Sequence, residues 1–189
     1  EASAEPDAAP VPAQLPAAVA AFAGRDAELE RLDGLLDAGE PAMAVGVICG
    51  AAGTGKTSLA VQWAHRVADR LPDGQLYVNL RGYATAPPMR PIEALTGFLR
   101  SLGVPADRVP PNETAAADLF RTLLAQRRTL VVLDNARDAE QVRPLLPGGT
   151  RCVVLVTSRH KLGGLVAQEG AHHVPLDPLP ADSARALLG

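Results

Sequence analysis

Residues 50–57 read GAAGTGKT, between an apolar run, MAVGVICG at 43–50, and a segment with helical spacing that opens at Thr57. The octet satisfies G-x-x-x-x-G-K-[ST] in full. No other feature restricts the fold as much. A strand has to deliver the chain to this loop and a helix has to leave it. Only then do successive backbone N–H groups converge on an anion while the helix N-terminus adds its dipole. Gly50, Gly53 and Gly55 permit backbone conformations that a Cβ would obstruct, and Ala51, Ala52, Thr54 and Ser58 complete the cradle. Lys56 supplies a point charge for the β- and γ-phosphates, and the Thr57 hydroxyl suits a Mg²⁺ ion.

The rest of the chain alternates in the way such a loop requires. Apolar runs at 43–50, 75–80 (QLYVNL), 129–134 (TLVVLD) and 152–157 (CVVLVT) read as buried strands, and HHVPL as a fifth. Between them, Leu29, Leu32, Leu35 and Leu36 recur at helical spacing in a helix that Gly39 and Pro41 should end. Leu59, Trp63, Val67 and Leu71 fall on one face of the next helix. Pro91 opens a helix through Leu95, Phe98, Leu99 and Leu102, and Asn112 caps another. DAEQVRPLL and KLGGLVAQ read as shorter helices, and ADSARALLG as the start of one more. Continuously apolar strands alternating with helices mean a parallel sheet covered on both faces. The fold class is therefore α/β: a three-layer P-loop NTPase with a mostly parallel five-stranded sheet flanked by helices.

A bound Mg²⁺ needs an acid at the end of a neighbouring strand. TLVVLD ends in Asp134, although an Asp there also suits a turn or a helix cap. The next residue is Asn135, where a base to deprotonate the attacking water would stand. An amide can orient a water but cannot take its proton, and general-base assistance is worth about 10²–10⁴-fold. Binding without fast hydrolysis is the expectation. Thr157, Ser158 and Arg159 follow the fourth strand, at the carboxyl edge where such sheets bind ligands. Arg159 either reaches the γ-phosphate or stays a solvated loop residue. No Asn-Lys-x-Asp guanine reader is present, so ATP and ADP are the default nucleotides.

Composition narrows the partners. Of eighteen basic residues only Lys56 and Lys161 are lysines, so the loop demands a lysine where general usage avoids it. Net charge is −3 with no basic block, which argues against nucleic acid binding by this segment itself. The two cysteines, Cys49 and Cys152, flank apolar runs and read as buried strand-end residues rather than a disulfide. His172 and His173 read as surface or strand-edge residues without metal-ligand spacing. No apolar run reaches the roughly eighteen residues of a membrane span, and no leader pattern opens the chain, so a cytoplasmic piece of a longer protein is expected. Residues 1–19, rich in Ala and Pro, read as an extended or disordered linker; 20–175 as the nucleotide-binding domain; 176–189 as the start of a following helical domain.

Taken in order, QLPAAVAAFAGRDAELERL, GAAGTGKTSLA, LPDGQLYVNLRGY, TLVVLDNARDAEQVRPLLPG, CVVLVTSRHKLGGL and PLDPLPADSARALL resemble the nucleotide-binding domain of STAND-class P-loop ATPases, the NB-ARC or AP-ATPase group. More narrowly, they resemble that of actinobacterial antibiotic-pathway regulators of SARP/AfsR type. The resemblance implies that Phe22, Ala23 and Arg25 line an adenine and ribose pocket. It implies that Asp134 holds the metal and that Arg159 is the sensor arginine. LRGY, with Arg81 and Tyr83, also matches but acquires no role. Many relatives carry two acids where this chain has Asp134 and Asn135. The resemblance further implies an ATP/ADP switch with nucleotide-dependent oligomerisation in the full-length protein, this chain alone being read as a monomer. DNA and RNA polymerase would be engaged only through other domains of a transcriptional activator. A signalling or defence ATPase outside transcription, and an enzyme with turnover as its purpose, are the competing readings.

Overall fold

Runs of Val, Leu and Ile form the strands of this protein because their branched side chains pack on both faces of a pleated sheet. The structure is a computed structural model and describes residues 10–20, 22–37 and 43–178. The strands are β1 (Ala44–Cys49), β2 (Gln75–Asn79), β3 (Leu130–Ala136), β4 (Val153–Ser158) and β5 (His172–Pro175). They form one sheet in the order β2-β3-β4-β1-β5, and every pairing is parallel. The helices are α1 (Asp26–Asp37), α2 (Lys56–Val67), α3 (Pro91–Ser101), α4 (Glu113–Leu124), α5 (Ala139–Val142) and α6 (Gly163–Glu169).

Strand residues alternate between two cores. Leu130 and Val132 of β3, with Val153 and Leu155 of β4, pack against α1 and α2. Val131 and Leu133, with Val154 and Val156, pack against α3 and α4. The three-layer α/β architecture read from the sequence is borne out, and all the described strands are parallel. Trp63 is fully buried between α2 and α1, and its indole N–H donates to Asp33 on α1 at 3.0 Å. Asn112 caps α4 as expected, accepting from the Ala115 amide at 3.1 Å. Cys49 and Cys152 are buried free thiols.

Two features depart from a plain reading of the chain. First, β3 does not stop at Asp134. It runs on to Ala136 through an irregularity after Leu133, with Asn135 in the left-handed region at φ 58°. Second, residues 12–14 are extended, as a Pro-rich segment should be, yet they are fastened to the sheet edge. The Gln75 amide donates to the Pro12 carbonyl at 2.8 Å, and the Gln14 amide to the Gln75 carbonyl at 3.0 Å. Gly74 allows this, because a Cβ there would lie 2.6 Å from Pro12. The edge strand β2 is thereby covered by the segment read as a linker. Residues 1–9, Gly39 and Pro41 as helix terminators, and the helix read at ADSARALLG lie outside the described residues.

The topology positions the site. β1 lies between β4 and β5, while the chain leaving it crosses to β2 at the far edge. Such a reversal opens a crevice at the carboxyl ends of the strands. The phosphate loop, Asp134 and Thr157 all emerge at that edge.

Candidate functional site

The loop after β1 takes the shape its glycines predict. Gly53 and Gly55 adopt φ 76° and 88°, which an L side chain would resist. A Cβ at Gly50 would lie 2.3 Å from the Leu176 carbonyl, so the loop enters through a gap only glycine fits. The Thr54 hydroxyl donates to the Ala51 carbonyl at 3.0 Å, and the Lys56 ammonium donates to the same oxygen. The lysine is thus folded back over its own loop, and a phosphate would compete for it. Burial and the nearby Arg159 guanidinium push the Lys56 pKa below its usual range, with the Asp134 carboxylate opposing.

A cavity of about 380 Å³ opens over the loop, within the usual range for small-ligand sites. Ala52, Gly53, Gly55, Lys56, Thr57 and Ser58 form its floor. Asn79, Asp134, Asn135, Thr157 and Arg159 reach it from the ends of β2, β3 and β4. The sequence-predicted residues Lys56, Thr57, Asp134, Asn135 and Arg159 are therefore brought together.

Asp134 is buried and held by three hydroxyl groups. Thr57 Oγ1 donates to its Oδ1 at 2.8 Å, Thr157 Oγ1 to the same oxygen at 2.6 Å, and Tyr77 Oη to Oδ2 at 3.0 Å. The Thr157 hydroxyl in turn accepts from the Asn135 backbone N–H at 2.8 Å. Burial comes first, then the Asp134 charge and hydrogen bond, in raising the Tyr77 phenol pKa far above its ordinary value. The phenol stays protonated and remains a donor. Sequence reasoning missed Tyr77. Its signal was present only in the strand order, since β2 lies directly against β3 with Asn79 opposite Asp134.

The donor set fits a hard divalent cation. A threonine hydroxyl and a carboxylate already within hydrogen-bonding distance are oxygen ligands of the kind Mg²⁺ takes, together with water and phosphate oxygens. Among the described residues no group of three or more His, Cys, Asp or Glu gathers as a self-sufficient metal site, so a cation here would depend on the phosphates.

Phe22, Ala23 and Arg25 do not line this cavity. Phe22 packs against the α1/α2 core and Ala23 is exposed. Arg25 is buried behind the loop, where its Nη2 donates to the Thr54 carbonyl at 3.1 Å and the Asp177 carbonyl at 2.8 Å. Its Nη1 pairs with Glu28 at 3.1 Å. The guanidinium ties the phosphate loop to α1 and to the segment leaving β5.

The chain is similar to known proteins in sequence and in fold. The family model described as AAA domain matches residues 9–181. The chain is 49% identical over 183 residues to the regulatory protein AfsR of Streptomyces coelicolor, and 46% identical over 178 residues to AfsR of Streptomyces griseus. Each alignment covers 94% of this chain and 18% of the relative, so the chain spans under a fifth of the length of these relatives. The resemblance to regulators of SARP/AfsR type read from the motifs is borne out. Among solved structures, Cdc6p from Pyrobaculum aerophilum matches with a TM-score of 0.62 at 20% identity, over 94% of this chain and 50% of that one. The ORC1 protein of Aeropyrum pernix, solved in complex with DNA, matches with a TM-score of 0.60 at 22% identity, over 89% and 49%. At that identity the likeness speaks for the fold. No helix among the described residues is long and apolar enough to cross a membrane.

Proposed function

The chain belongs to the AAA domain family, and we propose that it is the regulatory switch of a larger transcriptional regulator, binding Mg-ATP and ADP and hydrolysing ATP slowly. The observation that carries the slow turnover is the cavity lining. Asp134 is the one carboxylate among the described residues there, and it is occupied by three hydroxyl donors. Asn135 stands beside it where a base would be needed, and its amide cannot accept a proton.

In this reading the loop amides and Lys56 grip the β- and γ-phosphates, while Thr57 and Asp134 hold Mg²⁺. Mg²⁺ would supply charge neutralisation across the phosphates. Asn135 orients a water without activating it, and Arg159 reports the third phosphate from the end of β4. Phe22 and Ala23 are assigned to the nucleoside side, and Arg25 braces the phosphate loop from behind. The names of the AfsR relatives support a regulatory setting. In this reading DNA and RNA polymerase are met by other parts of a longer, cytoplasmic protein.

Single-turnover hydrolysis of Mg-ATP with protein in excess tests this, with Lys56→Ala as control. Bound ATP should persist for minutes. The variant, losing charge-assisted hydrogen bonds of about 1.5–3 kcal/mol, should bind about 10- to 150-fold more weakly. Rapid turnover by the unaltered chain would overturn the slow switch.

A further inference from the structure

The segment LRGY, which the motif reading leaves without a role, is built against the site by every one of its residues. The Leu80 amide donates to the Asp134 carbonyl and the Gly82 amide to the Asn135 carbonyl, both at 2.8 Å. Gly82 is required there. A Cβ would sit 2.6 Å from the Asn135 oxygen and from the Arg137 nitrogen, both backbone atoms that cannot swing away. Arg81 turns the chain at φ 54°, its amide donating to Asn79 Oδ1 at 2.8 Å. The far end of the loop is closed by the Met89 amide on the Leu80 carbonyl at 2.9 Å. The buried Gln141 amide group clamps both carbonyls, Leu80 at 3.0 Å and Met89 at 2.8 Å.

This places the Tyr83 ring under Arg159. The guanidinium carbon lies 4.6 Å from the ring centroid. The ring is held from two further directions. Its hydroxyl donates to the Arg137 carbonyl at 3.3 Å, and His160 meets it edge-on with centroids 5.7 Å apart. Arg159 itself is exposed, and an exposed arginine has many rotamers to lose before it can bind a phosphate. A fixed aromatic face beneath the guanidinium removes part of that freedom and leaves the N–H edge directed outward for an anion.

We propose that Tyr83 is the positioning residue for Arg159, holding it at the mouth of the phosphate cavity so that the chain distinguishes ATP from ADP. The proposal rests on the reading of Arg159 as the reporter of the third phosphate. It also gives LRGY a division of labour: Arg81 makes the turn, Gly82 allows the close approach to Asn135, and Tyr83 carries the arginine.

Calorimetric titration of the full 189-residue chain with ADP and with a non-hydrolysable ATP analogue, both with Mg²⁺, tests it. Arg159→Ala should lower the analogue-to-ADP affinity ratio. Tyr83→Ala should lower the same ratio by about two- to fivefold, the worth of an exposed cation–π contact, with ADP affinity unchanged. Tyr83→Phe keeps the ring and should keep the ratio. Tyr83→Leu keeps apolar bulk without a π face and should behave as the alanine variant does. In the Arg159→Ala background the Tyr83 substitutions should change nothing further. If Arg159→Ala lowers the ratio while Tyr83→Ala and Tyr83→Leu do not, the positioning role is overturned and the sensor reading stands. If Arg159→Ala leaves the ratio intact, the sensor reading falls and the positioning role with it.

Discussion

The phenolic hydroxyl of Tyr77 donates to Oδ2 of Asp134 across 3.0 Å, while Thr57 and Thr157 share the other carboxylate oxygen. Two strands and the first turn of α2 thus agree on where one carboxylate points. Tyr77 sits two positions before Asn79, the residue that pairs with Asp134 in the β2/β3 register, so its side chain lies along β2 on the approach to the acid.

Tyr77→Phe therefore removes one of three donors without changing ring volume. A hydrogen bond to a charged group is worth about 1.5–3 kcal/mol when fully buried, and this half-buried one should be worth less. The expected result is a roughly three- to tenfold higher Mg²⁺ concentration for half-maximal ADP binding. Affinity for nucleotide in the presence of a chelator should be unchanged. Titrating Mg²⁺ at fixed ADP measures it, and an equal loss with and without Mg²⁺ would show that the phenol serves only packing.

Asn135 answers to two constraints at once. Its backbone is left-handed at φ 58°, a conformation that Asn and Asp tolerate and β-branched residues resist. Asn135→Asp is therefore accommodated by the backbone and brings a carboxylate into the cavity lining. We expect single-turnover hydrolysis to rise at least about 10²-fold, the lower end of what a general base supplies. Asn135→Val should instead lose about 1–2 kcal/mol of stability in urea denaturation. An Asn135→Asp variant that folds and binds ATP but hydrolyses no faster would mean that the missing base is not the limit.

Arg25 offers a way to separate a brace from a base-recognising residue. Its guanidinium satisfies two backbone carbonyls and Glu28 together. Arg25→Ala should cost about 2–4 kcal/mol, somewhat under a fully buried pair because Glu28 keeps some contact with water. If Arg25 acts by bracing the loop, affinity for inorganic tripolyphosphate should fall in parallel with affinity for ATP. If it acts on the nucleoside, only ATP should suffer.

What was legible in the chain was what local sequence determines. The octet at 50–57 specifies its own turn, its glycines and the helix that follows, so the loop could be placed without knowing what surrounds it. Asp134 was legible as the polar end of an apolar run. Tyr77, Thr157 and Tyr83 act on the site through neighbours that the strand order supplies, since β2 borders β3 and β4 borders both β3 and β1. Periodicity carries no record of that order. Arg25 was assigned to the nucleoside side through resemblance, whereas its contacts to Thr54 and Asp177 span 29 and 152 residues. Separations of that kind leave no local pattern to read. The continuation of β3 past Asp134 escaped notice because Asn135 breaks the apolar run while the Gly82 and Leu80 amides keep its backbone bonded.

Asp138 connects the fold of this edge to pH. It caps α5 by accepting from the Gln141 backbone N–H at 2.9 Å and pairs with Arg137 Nε at 2.9 Å. Burial alone would raise its pKa. The Gln141 hydrogen bond and the Arg137 charge outweigh that and hold it below the ordinary aspartate value. A carboxyl whose folded pKa is depressed contributes stability that is present above its unfolded pKa, about 3.9, and lost as pH falls through the lower folded value. Asp138→Ala should cost about 0.5–2 kcal/mol at pH 7, the usual worth of an N-cap. That margin should shrink as pH drops below about 4. Asp138→Asn keeps an acceptor that does not titrate, so its margin over the alanine variant should stay level across the same range. Urea denaturation of the three proteins from pH 7 downward measures both margins. A wild-type margin that holds constant through the acid range would show that the carboxylate charge plays no part in seating α5, and with it the Gln141 clamp on the Tyr83 loop.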